Sequence, residues 1–278
     1  MSSTISSIPI AGARRPILAL PAINLLNSAC SGKKPSSLAP ISWLPAITPV
    51  WLKNEQTGIY SLLRGTDRRK DQSYVLYQLT QDILPHLLFP MADLEKADTR
   101  KLAKEWNLPV FNKPESQDIC FIPDNDYKGF LEKEQKDIFK PGDFVDESGR
   151  VIGRHQGIAA YTVGQRRGLN LGGPGGPYYV TALDVEHNRV VVGSEKDLFS
   201  KTVEASEATW VEQVPTAPFR ALGKIRYAAN ESPCTVYPDG DDMRVEFDEA
   251  QRAVTAGQAL VLYDEETGER VLGGGVIQ

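Results

Sequence analysis

Ala259-Leu-Val-Leu-Tyr-Asp-Glu-Glu-Thr-Gly-Glu-Arg-Val-Leu-Gly-Gly-Gly-Val276 places two short apolar runs on either side of a polar turn that contains glycine. Runs of this length between turn formers suit strands, because a stable helix needs more residues to offset its nucleation cost. Ala259 to Tyr263 and Val271 to Val276 therefore read as strands joined through Glu266-Thr-Gly268, and the three glycines mark a tight barrel strand with no ligand implied. The same punctuation recurs upstream, at Phe219 to Ile225, Cys234 to Tyr237 and Met243 to Phe247, with a further turn at Gly257-Gln258. From about Thr209 onward the pattern predicts a β-barrel of six strands or fewer.

Before this barrel the chain changes character near Pro141-Gly142-Asp143. Phe144-Val145 and Val151-Ile152 predict a hairpin whose turn centres on Ser148-Gly149. Tyr178 to Leu183 reads as another strand, and the polar turn 184–189 leads into Val190 to Val192, which together predict a small β-rich module. Further upstream, Val75, Leu76, Leu79 and Ile83 recur at helical spacing and predict a helix over residues 71–84, with Asp71 as its cap and Pro85 as its limit. A second helix is predicted from Leu94 to Trp106, with Leu94, Ala97, Leu102 and Trp106 on one side and Asn107 as the stop.

Composition bounds the function classes. The chain has 278 residues, 41% of them hydrophobic and 24% charged, and no uninterrupted apolar run approaches the ~20 residues of a membrane helix. Three widely spaced cysteines, Cys30, Cys120 and Cys234, argue against a disulfide scaffold and against a zinc cluster, so no metal site is expected and a reducing compartment fits. The net charge of -5 does not announce nucleic-acid binding, but its distribution is uneven. Residues 1 to 50 hold Arg14, Arg15, Lys33 and Lys34 and no acidic residue, so they carry +4 and the remainder -9. Within that acidic remainder lie two basic clusters, Arg68-Arg69-Lys70 and Arg166-Arg167, and local patches of this kind can steer a polyanion.

Single residues leave their roles open. Cys120, between Ile119 and Phe121, reads either as a small apolar core residue or as a nucleophile. Arg154, His155, Gln165, Arg166 and Arg167 sit among glycines and offer donors for phosphates or bases, yet paired arginines are also ordinary in solvated turns. Lys70, Asp71 and Gln72 read equally as a polar binding cluster or as a helix cap with its first turn, and Tyr74 as a stacking group or an anchor to the core. The glycines of residues 172–176 lack the lysine and hydroxyl residue of a phosphate-binding loop and read as a turn.

Taken in order, Lys70-Asp-Gln-Ser-Tyr74, Phe89-Pro-Met-Ala-Asp-Leu94, Ser116-Gln-Asp-Ile-Cys-Phe-Ile122, Gly153-Arg-His-Gln-Gly157, Tyr161-Thr-Val-Gly-Gln-Arg-Arg-Gly-Leu169 and Val271-Leu-Gly-Gly-Gly275 resemble the tRNA-specific 2-thiouridylases, which include the mitochondrial 5-taurinomethyluridine 2-sulfurtransferases. The resemblance covers roughly residues 57 to 278. It implies an α/β remnant of an adenine-nucleotide hydrolase-like domain, a small β-rich central module and a C-terminal β-barrel, divided here as 57–140, 141–203 and 204–278 after an unmatched leader of residues 1–56.

The activity the resemblance implies is replacement of O2 of wobble uridine 34 in tRNA by sulfur. ATP, with Mg2+, activates the oxygen by adenylation, a cysteine persulfide delivers sulfur to C2, and a second cysteine closes a disulfide on the first. Cys120 matches the persulfide-bearing position. Cysteine suits that role because it carries a second sulfur and is regenerated by thiol–disulfide exchange. The resemblance further implies tRNA and a sulfur-donor protein or cysteine desulfurase relay as partners, no membrane, and Lys70, Asp71, Gln72, Arg154, His155, Gln165, Arg166 and Arg167 as candidates facing tRNA.

Residues 1 to 56 match neither the family's Ser-Gly-Gly-Val-Asp-Ser-Ser type loop nor its Asn-Pro-x-x-x-Cys-Asn type segment. Neither Gly32-Lys33-Lys34 nor Cys30 replaces them. The expectation is a thiouridylase chain that is incomplete, with a missing N-terminal fragment as a further partner. The alternatives are a noncatalytic tRNA-binding remnant and an assembly protein that uses the barrel as a surface. The Ser- and Pro-rich leader suits a disordered or targeting segment, which places the chain in a mitochondrion or plastid if it is a transit segment, and in the cytoplasm if the source is bacterial.

Overall fold

A computed structural model describes residues 50–87, 89, 94–109, 111, 129, 139–172 and 176–278. In it the C-terminal strands close into a six-stranded antiparallel barrel. The strands are β7 (Phe199–Trp210), β8 (Phe219–Lys224), β9 (Ser232–Asp239), β10 (Asp242–Arg252), β11 (Ala259–Asp264) and β12 (Arg270–Ile277). They lie in the order β12-β11-β8-β9-β10-β7, and β7 pairs back onto β12 to close the ring. Five of these strands follow the sequence pattern. The sixth, β7, does not, because its burial alternates only in part and its outer positions are polar.

Two further strands join the barrel at its seam. β1 (Val50–Lys53) and β2 (Tyr60–Leu63) form a hairpin, and β2 pairs with the start of β12 through Arg270 and Val271. Past that point β12 leaves β2 and pairs with β7 through Gly273 to Ile277. The glycines make this exchange sterically possible. A Cβ on Gly274 would stand 2.4 Å from the Leu260 carbonyl oxygen and 2.7 Å from the Tyr77 ring, and one on Gly273 2.2 Å from the Thr209 carbonyl oxygen.

Strand β11 is apolar on both faces because it separates two cores. Leu260 and Leu262 point into the barrel, against Val203, Val236, Met243, Val245 and Phe247. Val261 and Tyr263 point outward and are covered by Leu62, Tyr74, Leu76, Tyr77, Leu84 and Leu87. That cover is not the helix predicted over 71–84. It consists of 3₁₀ turns at Ser73–Leu76 and Leu84–His86 with irregular turns between them. Tertiary anchors override the helical spacing: the Tyr74 hydroxyl donates to Ala259 O at 2.7 Å, and Gln81 Nε2 donates to both Tyr60 O and Val211 O at 2.6 Å. Val75, expected on the apolar face, is exposed.

Helix α1 (Lys96–Glu105) forms within the predicted Leu94 to Trp106, and Asn107 ends it in the left-handed region at φ 52°. Its expected apolar side is not buried, and Trp106 is 65% exposed.

The central sheet has the order β4-β3-β6-β5, from β3 (Gly142–Val145), β4 (Val151–His155), β5 (Tyr179–Asp184) and β6 (Arg189–Gly193). The expected β3–β4 hairpin turns at Gly149, and β3 runs parallel to β6. Phe144, Leu169, Val180, Val190 and Val192 fill its core. Tyr179 and Leu198 pack against Ala253 of the barrel, with Val163 alongside, and hold the two sheets together. No helix among the described residues is long and apolar enough to cross a membrane.

Candidate nucleic-acid interface

Cys120 and Cys30 lie outside the described residues, as do residues 173–175 of the glycine-rich turn. The remaining cysteine, Cys234, is buried in the barrel, where its thiol contacts the Ala221 carbonyl oxygen at 3.4 Å and burial pushes its pKa up to about 12. A thiol held protonated in this way is inert.

The segment 70–72 meets the barrel at a nearly buried ion cluster. Arg64 donates through Nε to Asp71 at 3.0 Å and through Nη1 to Glu231 at 2.6 Å, with its guanidinium 4.7 Å from the Tyr263 ring centre. Asp71 also accepts from the amides of Gly65 and Ser73 and from the Ser73 hydroxyl. Burial would lower the Arg64 pKa, but its bonds to Glu231 and Asp71 outweigh that and raise it. Burial would raise the Glu231 carboxyl, but Arg64 holds it below its ordinary range. Burial also pushes the Tyr263 hydroxyl up to about 12.

Asp71 is therefore a structural counter-ion. It caps no α-helix and turns away from solvent, because every lone-pair direction it offers is used inside the protein. Gln72 has a buried Oε1 with no hydrogen-bond partner among the described residues. Lys70 is half-buried, its amide bonded to Asp67 O at 3.0 Å. Tyr74 is an anchor, buried with its hydroxyl on Ala259. Beside them Arg68 is paired with Glu269, and Arg69 projects into solvent, 3.9 Å from Asp67.

In the central sheet, His155 and the arginines part company. His155 is 2% exposed. Its Nδ1 accepts the Gly157 amide at 3.0 Å, so the proton sits on Nε2, which faces Asn188 O at 3.2 Å. Burial lowers its pKa, and Phe144 and Tyr161 pack edge-on around the ring. This ring is a neutral structural group. Arg154, one residue earlier on β4, points the other way into solvent, 3.6 Å from Asp143.

The loop 161–169 is scaffolded by Gln165. Its Oε1 accepts the Thr162 amide at 3.1 Å, and its Nε2 donates to Arg167 O at 3.0 Å. Backbone bonds from Gly164 N to Val180 O and from Val180 N to Gln165 O fasten the loop to β5. Arg166 and Arg167 are left exposed, with no ion-pair partner among the described residues. Gln165 thus shapes a turn whose free groups are two guanidiniums suited to phosphate.

Sequence reasoning did not single out the groups that lie between these clusters. A Cβ on Gly164 would touch Ala253 at 2.9 Å and stand 3.6 Å from Arg252 Nη1. Arg226, in the β8–β9 connection, bonds to Ala253 O and to Thr255 Oγ1. Lys224 and Tyr227 then approach Tyr74. Arg252, Arg226 and Lys224 thereby link the 161–169 loop to the segment of Tyr74, and only the folded barrel makes them neighbours.

Three family models match the chain. They are described as the tRNA methyl transferase HUP domain over residues 49–124, the tRNA methyl transferase PRC-barrel domain over 128–194 and the aminomethyltransferase beta-barrel domain over 200–277. Among curated proteins, the tRNA-specific 2-thiouridylase MnmA of Carboxydothermus hydrogenoformans is 48% identical over 227 residues, which is 81% of this chain and 61% of that protein. The proteins of the same name from Symbiobacterium thermophilum and Clostridioides difficile are 47% and 43% identical, over 80% and 81% of this chain and 56% and 62% of theirs. The chain spans about three fifths of the length of the relatives it matches.

Proposed function

The chain belongs to the tRNA-specific 2-thiouridylase family, and on that premise we propose that it serves the transfer of sulfur to C2 of wobble uridine 34 in tRNA, with Cys120 as the persulfide carrier. One observation carries the reading: identity of 48% extends over 81% of the chain, through all three matched segments. Identity at that level over the central module and the barrel as well as the first segment supports a shared substrate, because those parts supply surface for binding.

In this reading the terminal sulfur of the Cys120 persulfide attacks C2 of an adenylated uridine, AMP leaves with the former O2, and a second thiol attacks the Cys120 sulfur, closing a disulfide with it and releasing the sulfur on C2 as 2-thiouridine. ATP with Mg2+ supplies the activation. None of the described residues is assigned to that step. The described residues bind and orient: Arg166 and Arg167, presented by the Gln165-braced loop, together with Arg69 and Arg154, meet the phosphates. Lys70 and Gln72 border the same side, whereas Asp71 and His155 hold the framework in place. The segments 57–140, 141–203 and 204–278 act as catalytic, central and barrel parts. A sulfur-donor protein would load Cys120, and a cytoplasmic setting fits the bacterial relatives.

The test is mass-spectrometric detection of 2-thiouridine after incubating the chain, supplemented with the N-terminal nucleotide-binding segment of a relative, with unmodified tRNA, ATP, Mg2+ and a persulfide donor, beside a Cys120→Ser variant and a full-length relative. The expected product depends on Cys120. A reaction in which the relative forms thiouridine and this chain does not, or in which Cys120→Ser matches the parent, would sink the reading.

A further inference from the structure

The end of the barrel away from the 161–169 loop holds a cleft that the reaction above does not use. In an antiparallel ring successive connections alternate between the two ends. The β8–β9 and β10–β11 connections, the latter carrying Ala253, therefore lie at one end, and the β7–β8 and β11–β12 connections at the other. Between those last two opens a cleft of about 590 Å³. Its floor is apolar: Trp210 is buried and stands edge-on to Phe219, with centroids 6.0 Å apart and planes at 68°, and Leu272, Pro215 and Pro218 line it beside them. Its rim is acidic. Glu212, Asp264, Glu265 and Glu266 stand there against two arginines, Arg220 and Arg270, that are both engaged. Arg220 donates to Asp248 from both Nη atoms at 2.7 and 2.8 Å and to Glu265 from Nε at 2.9 Å, and Arg270 faces Glu212 at 3.4 Å. Glu266 is exposed, with no ion-pair partner among the described residues.

This set of groups selects a class of ligand. Four carboxylates against two paired guanidiniums leave the lining net negative, which repels a polyanion and attracts a cation. The apolar floor asks the same ligand for an aliphatic or proline side chain. The β7–β8 connection adds a third requirement. Residues 213–218 make no backbone hydrogen bond among the described residues, so unpaired amides and carbonyls border the groove. An extended peptide meets all three, since its main chain can pair with those groups while its side chains take the floor and the rim. A small amine would answer the rim alone.

We propose that this cleft docks an extended basic segment of a partner protein, which lays an apolar side chain against Phe219 and Leu272 and sets a lysine or arginine against Glu266. The inference does not rest on the tRNA reading above. Because the cleft lies at the opposite end of the barrel from the loop of Arg166 and Arg167, a partner held there leaves that loop free.

The test pans a random phage-displayed peptide library against the immobilised full chain, then measures the enriched peptides by fluorescence anisotropy. They are expected to be basic and to carry proline or leucine. Glu266→Lys should weaken their binding about threefold to tenfold, with a smaller loss at high salt. Ala217→Trp, which puts a large ring into the cleft from an exposed position, should weaken it about tenfold or more. Glu204→Lys, in a separate acidic cleft, should bind within about twofold of the parent. All three positions are exposed, so thermal unfolding should match the parent. A saturating tRNA transcript should leave the peptide bound. Failure to enrich any peptide, enrichment of acidic ones, or equal losses in Glu266→Lys and Glu204→Lys overturns the proposal. Displacement of the peptide by tRNA would make the cleft an RNA surface and overturn it too. So would a dimer seen by light scattering that Ala217→Trp abolishes, since a second copy would then fill the cleft.

Discussion

Removing the Asp71 carboxylate would leave the nearly buried Arg64 guanidinium over Tyr263 with only Glu231 to offset its charge, and would strip the Gly65 and Ser73 amides of their acceptor. Breaking one side of a buried pair is far more costly than losing a surface pair. Asp71→Ala is therefore expected to lower unfolding free energy by about 3 kcal/mol, read from urea denaturation, while leaving tRNA affinity per folded molecule unchanged. An unchanged midpoint with weakened tRNA binding would instead put the carboxylate on the ligand. His155 makes a second prediction. Burial depresses its folded pKa below the ordinary 6.5, so between those two values the unfolded chain takes up a proton that the folded chain refuses. Its contribution is complete above pH 6.5 and is lost as pH falls from there toward the folded value. NMR titration of the ring should give a midpoint below 6.5, and the midpoint of thermal unfolding should fall between pH 7.5 and 5.5 less steeply in His155→Gln than in the parent. A ring that titrates at 6.5 or above would contradict the buried geometry.

Strand β12 is the element on which the barrel depends, since it pairs in succession with β2 and β7 on one side and with β11 on the other. Gly274→Ala would drive a methyl group to 2.4 Å from a carbonyl of the β11 ladder and 2.7 Å from the Tyr77 ring, and neither can retreat without opening a core. A loss of about 2–3 kcal/mol is expected, measured by denaturant unfolding. Gly172→Ala, with no neighbour within 4 Å among the described residues, should change stability by less than about 0.5 kcal/mol. Equal effects at the two positions would show that glycine at 274 is not required sterically. The regular barrel strands were legible because each carries its own apolar run between turn formers. β1 and β2 were not, since each has four residues and the β2 partner, β12, lies more than 200 positions away. The helix expected over 71–84 failed for a related reason. Leu76 and Leu79 repeat at helical spacing, but the segment is held over the barrel wall by single distant anchors, at Tyr74 and Gln81, which the spacing does not reveal.

Across the whole molecule, a net charge of -5 conceals a run of contacts along which cations collect. The sequence marked both ends of it, at Arg68 to Lys70 and at Arg166-Arg167, because adjacent basic residues stand out in an acidic chain. It did not mark Lys224, Arg226, Tyr227 or Arg252, each of which is unremarkable alone and gains a neighbour only when β8, β10 and the loop after β4 converge. Nor did it separate Asp71 and His155 from the exposed groups beside them, since burial is a property of the fold. If this side carries tRNA, the exposed arginines act through counterion release, and their loss should be felt equally on any tRNA sequence. Arg166→Gln/Arg167→Gln is expected to reduce the slope of log K against log salt by about 2 and to weaken binding at least about tenfold at low salt. Fold should be unaffected, because Gln165 and the backbone hold the loop without either guanidinium. The same double variant measured near 1 M salt, where the screening length shrinks to about 3 Å, should differ little from the parent. A deficit that persists at high salt would mean that the arginines shape the loop, and an unchanged slope at low salt would place the RNA elsewhere on the molecule.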